Sequence, residues 1–241
     1  MIVLGANSEI SQAFIEHCLI KGEKFPIIYL FSSDPELAKR FASHIQIKYC
    51  QNCKVLVLDI TKKYDLEEFS GIESDLLFCA TGYLGRNVNE ALYDFDNTVS
   101  IIDINYARLV PVINFFAKKM EDKKTGTIVV LSSVAGDRGR QSNFIYGSAK
   151  AALSAYLSGL RNYLYHKNVH VMTVKPGYMD TKMTQDLTLN PRLTATPTQA
   201  AEYIYKSCKR KKNIIYVLPV WRFIMMIIKN IPESIFKRMK F

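Results

Sequence analysis

The sequence predicts an α/β chain: one doubly wound parallel sheet of seven strands in a single domain, ending in an apolar helical extension. Three observations predict it. Seven short runs are nearly all apolar, helical patterns separate them, and small or polar residues follow them where a parallel sheet would present ligand-binding loops. Strands covered by helices on both faces read this way, because neither face meets water.

In order, Ile2–Leu4 is the first run and ends at Gly5. Residues 8–21 carry Ile10, Ala13, Phe14, Cys18 and Leu19 at helical spacing. Ile27–Phe31 is the second run. Asp34-Pro35-Glu36 then opens a helix, with Asp34 as cap and Pro35 at the first helical position, where its missing N–H is tolerated. Lys54–Leu58 is the third run, closed by Asp59, and Leu76–Cys79 the fourth, closed by Gly82. A helical stretch from about residue 89 to 120 leads to the fifth run, Thr127–Leu131. A helix from about 143 to 166 leads to the sixth, Val169–Val174, and Ile214–Leu218 is the seventh.

Composition sets limits on this reading. Of 241 residues 49% are hydrophobic, enough for a large core and too many for a disordered chain. No linker, repeat or low-complexity tract interrupts it, so residues 1–241 read as one domain, with 214–241 as the last strand and a basic-flanked apolar tail. Five cysteines are an odd number, and the first four residues already read as strand, leaving no room for a leader. A reduced, cytoplasmic setting fits. Cys50 and Cys53 form a CxxC with no second half, so no metal is expected; they read as small apolar residues entering a strand. The net charge of +10 suits a basic soluble surface or an anionic membrane face. No nucleic-acid module is present, and nucleic acid is not an expected partner.

Parallel sheets bind ligands beyond the carboxyl ends of their strands. At the first of these, Gly5-Ala6-Asn7-Ser8-Glu9-Ile10-Ser11 joins strand to helix, and backbone N–H groups at a helix start can hold a pyrophosphate. One glycine alone is also what an ordinary strand-to-helix turn uses. Asp59 can accept from an adenine amino group or cap the next turn. Ala80-Thr81-Gly82 offers small residues for close backbone approach. Ser32 and Ser33 end the second run. An acid there would favour NAD and an arginine NADP; the serines repel no phosphate, which leans the reading from NAD(H) towards NADP(H).

The chemical constellation is Ser133, Tyr146 and Lys150. Tyr146 and Lys150 are four apart on a predicted helix and share a face. A nearby ammonium favours a phenolate and should lower the phenol's pKa, making it a proton donor or acceptor near neutrality. Ser133 follows the fifth run on the ligand side, where its hydroxyl can hold a substrate oxygen.

This pattern resembles the short-chain dehydrogenase/reductase family. The resemblance runs in family order over nearly the whole chain: Gly5, Asp59, Ala80-Thr81-Gly82, Asn105, Leu131-Ser132-Ser133-Val134-Ala135-Gly136, the Tyr146/Lys150 pair, and Pro176-Gly177 with Thr181. It implies a Rossmann-like, NAD(P)-binding oxidoreductase. Tyr146 would be the acid in reduction, Lys150 would tune it and hold the nicotinamide ribose, Ser133 would orient the carbonyl, and Asn105 would fix a water relaying protons to Lys150. The implied cofactor site runs over Gly5, Asn7, Ser8, Glu9, Ile10, Ser32, Ser33, Asp59, Ile60, Ala80, Thr81, Gly82, Tyr146, Lys150, Pro176, Gly177, Met179 and Thr181. The family also implies a homodimer or homotetramer. The chain departs from the family at Glu9 and Ser11, where glycines are usual, at Leu4, where threonine is frequent, and at Cys79 and Thr81, where asparagine and alanine are.

Two segments narrow the substrate. Gly136-Asp137-Arg138-Gly139-Arg140-Gln141 brings two arginines beside the active residues, and arginine suits phosphate; they could equally be solvated loop residues. The helix candidate 221–231 is apolar nearly all round, with basic flanks from Lys209 to Lys212 and from Lys237 to Lys240. It is too short to span a bilayer, and would pack on its own core or a partner subunit, or lie in a membrane interface through 220–241. These segments are similar to reductases acting on polyprenyl-phosphate-linked 2-keto pentoses. That similarity implies a lipid-linked keto-sugar substrate, Arg138, Arg140 and Gln141 as substrate residues, a flavin-dependent oxidase partner, and a cytoplasmic protein peripheral to the inner face of the membrane. A general carbonyl reductase or alcohol dehydrogenase on a soluble substrate is the alternative.

Overall fold

The computed structural model describes residues 1–86, 92–185 and 188–240. Seven parallel strands form one sheet: β1 (Ile2–Leu4), β2 (Ile28–Ser32), β3 (Cys53–Val57), β4 (Leu76–Cys79), β5 (Gly126–Leu131), β6 (Val169–Lys175) and β9 (Ile214–Tyr216), in the order β3-β2-β1-β4-β5-β6-β9. A second, two-stranded parallel sheet pairs β7 (Tyr178–Met179) with β8 (Thr194–Ala195). The alternation of side chains sorts each strand's residues to two helical layers. On β5, Val129 and Leu131 face one cluster with α1 (Glu9–Ile20), α2 (Pro35–Tyr49) and α6 (Pro197–Lys209), through Phe14, Ile45 and Ile204. Ile128 and Val130 face the other, with α4 (Leu109–Lys123) and α5 (Phe144–Leu164), through Phe116, Leu153 and Leu157. Each such side chain, fully removed from water, contributes roughly 1.5–3 kcal/mol. The largely apolar strands follow from this double coverage.

Local chemistry accounts for the boundaries. Asp34 caps α2, its carboxylate accepting from Leu37 N–H at 3.2 Å, with Pro35 at the first position as the sequence predicts. The long helix read from about 89 is different in detail. Residues 87–91 lie outside the described residues; α3 (Phe95–Ile102) starts behind the cap Asp94, a π turn spans Asp103–Ala107, and α4 follows. By length and composition the stretch 95–123 could cross a bilayer, yet Leu109, Val112, Phe116 and Met120 are buried on the sheet, as in any helix of an α/β layer. The α6 helix, not singled out in the sequence, carries a full capping box between Thr196 and Gln199, with Pro197 at its start.

The tail divides its two readings. Helix α7 (Val220–Asn230) buries Trp221 and Met225 against Val134, while Phe223, Met226 and Ile227 are 61%, 56% and 64% exposed. It is neither wholly core nor wholly free. The last helix, α8 (Glu233–Phe236), follows at once.

Candidate active site

The chain runs β1 to β3 in one direction across the sheet and then crosses to β4 on the other side of β1. Ligands of open parallel sheets sit at such a switch. A cavity of about 720 Å³ opens there, at the carboxyl ends of β1, β2, β4, β5 and β6.

Gly5 makes the first turn. Its φ of +78° suits glycine, and a Cβ there would stand 2.9 Å from Thr81 N. Ser11, at the place of a further family glycine, donates to Gly5 O at 2.9 Å and so closes the turn from the helix side. Glu9 starts α1, and its carboxylate accepts from Lys182 N–H at 2.8 Å, so the acid in the turn ties down the loop beyond β7. Asn7 donates to Ser32 Oγ at 2.7 Å and to Asp34 O at 2.9 Å. Ser32 is thereby buried and Ser33 exposed, and both line the cavity. Asp59 lines the cavity but also caps its own turn, accepting from Thr61 N at 3.0 Å and Thr61 Oγ1 at 2.6 Å. These bonds hold its carboxyl below the usual range. Ser8, Ile10, Ile60, Ala80, Thr81, Gly82, Pro176, Gly177, Met179 and Thr181 also line this cavity, so the positions read for a nucleotide converge.

The cradle fits an NAD(P) group: a glycine turn facing a helix start, small residues after β4, and room enough for an extended ligand. The residues read as catalytic lie at the other end. Ser133 follows β5, and its Oγ accepts from Ala135 N–H at 3.1 Å, leaving the hydroxyl proton to donate. Lys150 is 3% exposed and donates to Leu131 O at 3.2 Å, with its ammonium 5.7 Å from the centre of the Tyr146 ring. Asn105, wholly buried in the π turn, donates to Tyr83 O at 2.7 Å and Ile101 O at 2.9 Å. A Cβ on Gly82 would meet Asn105 Oδ1 at 3.1 Å and Lys150 Nζ at 3.3 Å, so glycine keeps open the gap those two atoms share. Ser132, not singled out from the sequence, donates to Lys150 O at 3.0 Å and fastens α5 to β5.

The electrostatics correct one expectation. Lys150 does not bring the Tyr146 phenol down. Burial pushes the phenol up to about 12 against the pull of the Ser133 hydroxyl, and burial pushes Lys150 down to about 8. Desolvation outweighs an ammonium at this separation.

The substrate arginines also divide. Arg140 lines the cavity. Arg138 does not: it donates to Ile228 O at 3.0 Å, Lys229 O at 3.1 Å and Ile231 O at 2.6 Å, pairs with Glu233 at 2.7 Å, and stacks on Phe236 at 3.9 Å. Its Nη1 and Nη2 close the end of α7, away from the cavity. Gln141 is exposed and lies off the cavity wall. Leu84, Ile104, Met183 and Thr184 join the lining without a sequence signal of their own.

Comparison with known proteins agrees with this geometry. The family model for short chain dehydrogenase matches residues 1–192. An uncharacterized oxidoreductase of Streptomyces coelicolor is 33% identical over 172 residues, 71% of this chain and 67% of the relative. One of Mycobacterium tuberculosis is 31% identical over 160 residues, 66% of this chain and 64% of the relative. The match thus spans about two thirds of the length of these curated relatives. Among solved structures, a short chain dehydrogenase of Burkholderia cenocepacia in complex with NADP superposes with a TM-score of 0.81 at 18% identity, over 98% of this chain and 95% of that one. A short-chain dehydrogenase of Sphingobium yanoikuyae with NADPH gives 0.77 at 18%, over 97% and 96%.

Proposed function

The chain belongs to the short-chain dehydrogenase/reductase family, the NAD(P)-dependent oxidoreductases, and from that premise we propose that it reduces a keto group to an alcohol on a sugar carried by a polyprenyl phosphate. The observation that carries the reading is the convergence of Ser133, Tyr146 and Lys150 on a cavity whose wall includes one arginine, in a chain whose tail pairs an exposed apolar face with basic flanks. A bound nicotinamide supplies the hydride. The chain's own residues manage the oxygen. Ser133 donates to the substrate carbonyl, and Tyr146, a neutral phenol at neutral pH, transfers its proton as the carbonyl becomes an alkoxide. Lys150, poised near pH 8, can restore that proton by exchange through the gap beside Asn105 and Gly82.

Further features support the partners in this reading. Asp34, the acid nearest the end of β2, is engaged with Leu37 N–H and does not line the cavity, which favours NADP(H) at Ser33. Phe223, Met226 and Ile227, flanked by Arg222, Lys229, Lys237 and Arg238, suit the inner, anionic face of a membrane on the cytoplasmic side. A homodimer or homotetramer and a flavin-dependent oxidase that supplies the keto sugar complete the proposal. The test is loss of reduced-cofactor absorbance with a synthetic prenyl-phosphate 2-keto pentose beside a panel of soluble carbonyls. Turnover mainly of the lipid-linked sugar supports the reading; turnover mainly of soluble carbonyls replaces it with a general carbonyl reductase.

A further inference from the structure

The segment between Ser133 and Tyr146 is fixed at two successive residues and then turns one charge into the cavity. The Asp137 carboxylate, 2% exposed, takes the Lys175 ammonium, and Tyr216 O–H donates to it at 2.7 Å. Arg138 is committed to the end of α7. After Gly139 comes Arg140, the only arginine on the cavity wall among the described residues, alongside Asn143, Tyr146 and Tyr178. Its Nε is buried with no hydrogen-bond partner among the described residues, and so is Asn143 Oδ1. Burial pulls the guanidinium's pKa down, and Asp137, the one carboxylate that offsets it, already answers to Lys175 and Tyr216. A buried charged donor without an acceptor is costly, and the cost is removed when a ligand brings one.

The position of that donor fixes which ligand. The cavity is lined by Gly5, Ser33 and Asp59 as well as by Arg140, which acts on Tyr178 and sits in the turn that leads into the helix carrying Tyr146. We propose that Arg140 recognises a phosphate group on the carbonyl substrate itself, so that this site selects phosphate-bearing keto compounds over neutral ones. The proposal deepens the function above and rests on it for the reaction. It holds equally for a phosphate of a lipid-linked sugar and for that of a soluble ketose phosphate. The two anchored residues before Arg140 give its guanidinium a fixed approach, and its planar fork suits two phosphate oxygens at once.

The test uses enzyme saturated with NADP+, which fills the nucleotide's own phosphate sites and permits no reduction. Isothermal titration measures binding of ribulose 5-phosphate, ribulose and a farnesyl-phosphate-linked 2-keto pentose to the wild type, Arg140→Lys and Arg140→Gln. A charge-assisted hydrogen bond predicts that at least one phosphate compound binds the wild type roughly ten- to a hundredfold more tightly than ribulose. Arg140→Gln should erase that preference and Arg140→Lys should keep part of it, with NADP+ affinity unchanged in both as the check on folding. A phosphate preference that survives Arg140→Gln, or none in the wild type with either compound, overturns the proposal. An Arg140-dependent preference for ribulose 5-phosphate alone keeps the phosphate site and rejects the lipid-linked substrate.

Discussion

Lys150 is a charge stored in the core, and its replacement by methionine should make the protein more stable at neutral pH. The ammonium is 3% exposed, and burial brings its pKa from 10.5 down to about 8. At 1.36 kcal/mol per tenfold change in the proton equilibrium, holding this group charged in the fold costs about 3 kcal/mol. Methionine is of similar length and carries no charge, but it withdraws the bond to Leu131 O, worth roughly 1–2 kcal/mol. The net expectation for Lys150→Met at pH 7 is a gain of about 1–2 kcal/mol. Its pH dependence identifies the source. Below pH 8 folded and unfolded chains both hold the proton, and the full penalty stands. Between pH 8 and 10.5 the unfolded chain holds it and the folded chain does not, so wild-type stability rises with pH. Above 10.5 the penalty is gone. The neighbouring Cys79 thiol and Tyr146 phenol are both pushed up by burial, which keeps Tyr146 neutral through that window. Urea unfolding of both proteins at pH 7, 8, 9 and 10 gives the difference directly. The methionine variant should lead at pH 7 and lose its lead by pH 10. A constant difference across that range would refute the reasoning. Under the proposed function, the fold would retain this ammonium at a cost in stability because the reaction uses it, the kind of trade seen at active sites.

Other expectations can be checked alongside. Tyr146→Phe should lower kcat by roughly 10²–10⁴-fold while NADPH affinity, read by cofactor fluorescence, stays as in the wild type. Ser33→Arg should tighten NADPH relative to NADH about tenfold or more by adding a charge-assisted pair; equal affinities would mean that Ser33 does not face the ribose. Arg138→Ala removes three backbone bonds and a stacking contact from the tail, and should destabilise the protein on the order of 2–3 kcal/mol and speed tryptic cleavage beyond residue 229. The double variant Phe223→Ser, Ile227→Ser changes exposed side chains only and should weaken sedimentation with anionic liposomes without shifting Tm; unchanged sedimentation would return the face to protein contacts.

Much of this was legible in the sequence wherever one residue type has one local explanation. The strands were readable because two helical layers leave them no polar face, and Asp34-Pro35 marks a helix start by its own chemistry. Tyr146 and Lys150 were readable because four residues make one helical turn. The features that escaped depend on distant partners. Arg138 looks like a substrate residue until the chain 90 residues later lays α7 against it. Asp59 serves as both cap and cavity wall, which its position alone could not divide. The π turn that presents Asn105 has no periodic signature, and the Tyr146 phenol moved opposite to the pairwise expectation because burial is a property of the whole fold. Helix α6 is a different case, since Thr196, Pro197 and Gln199 announce it in plain sequence.

The place of Trp221 has an optical consequence. It is the chain's one tryptophan, 3% exposed, donating to Leu193 O at 3.0 Å and lying so close over Gly177 that a Cβ there would meet the indole nitrogen at 1.9 Å. All indole emission therefore comes from the seam between the tail and the wall of the cofactor cavity. A reduced nicotinamide bound beside Gly177 would quench it by energy transfer, and detachment of α7 would expose it to water and move the emission to the red. One intrinsic fluorophore would thus report two events by two different changes of the same spectrum, with no label attached.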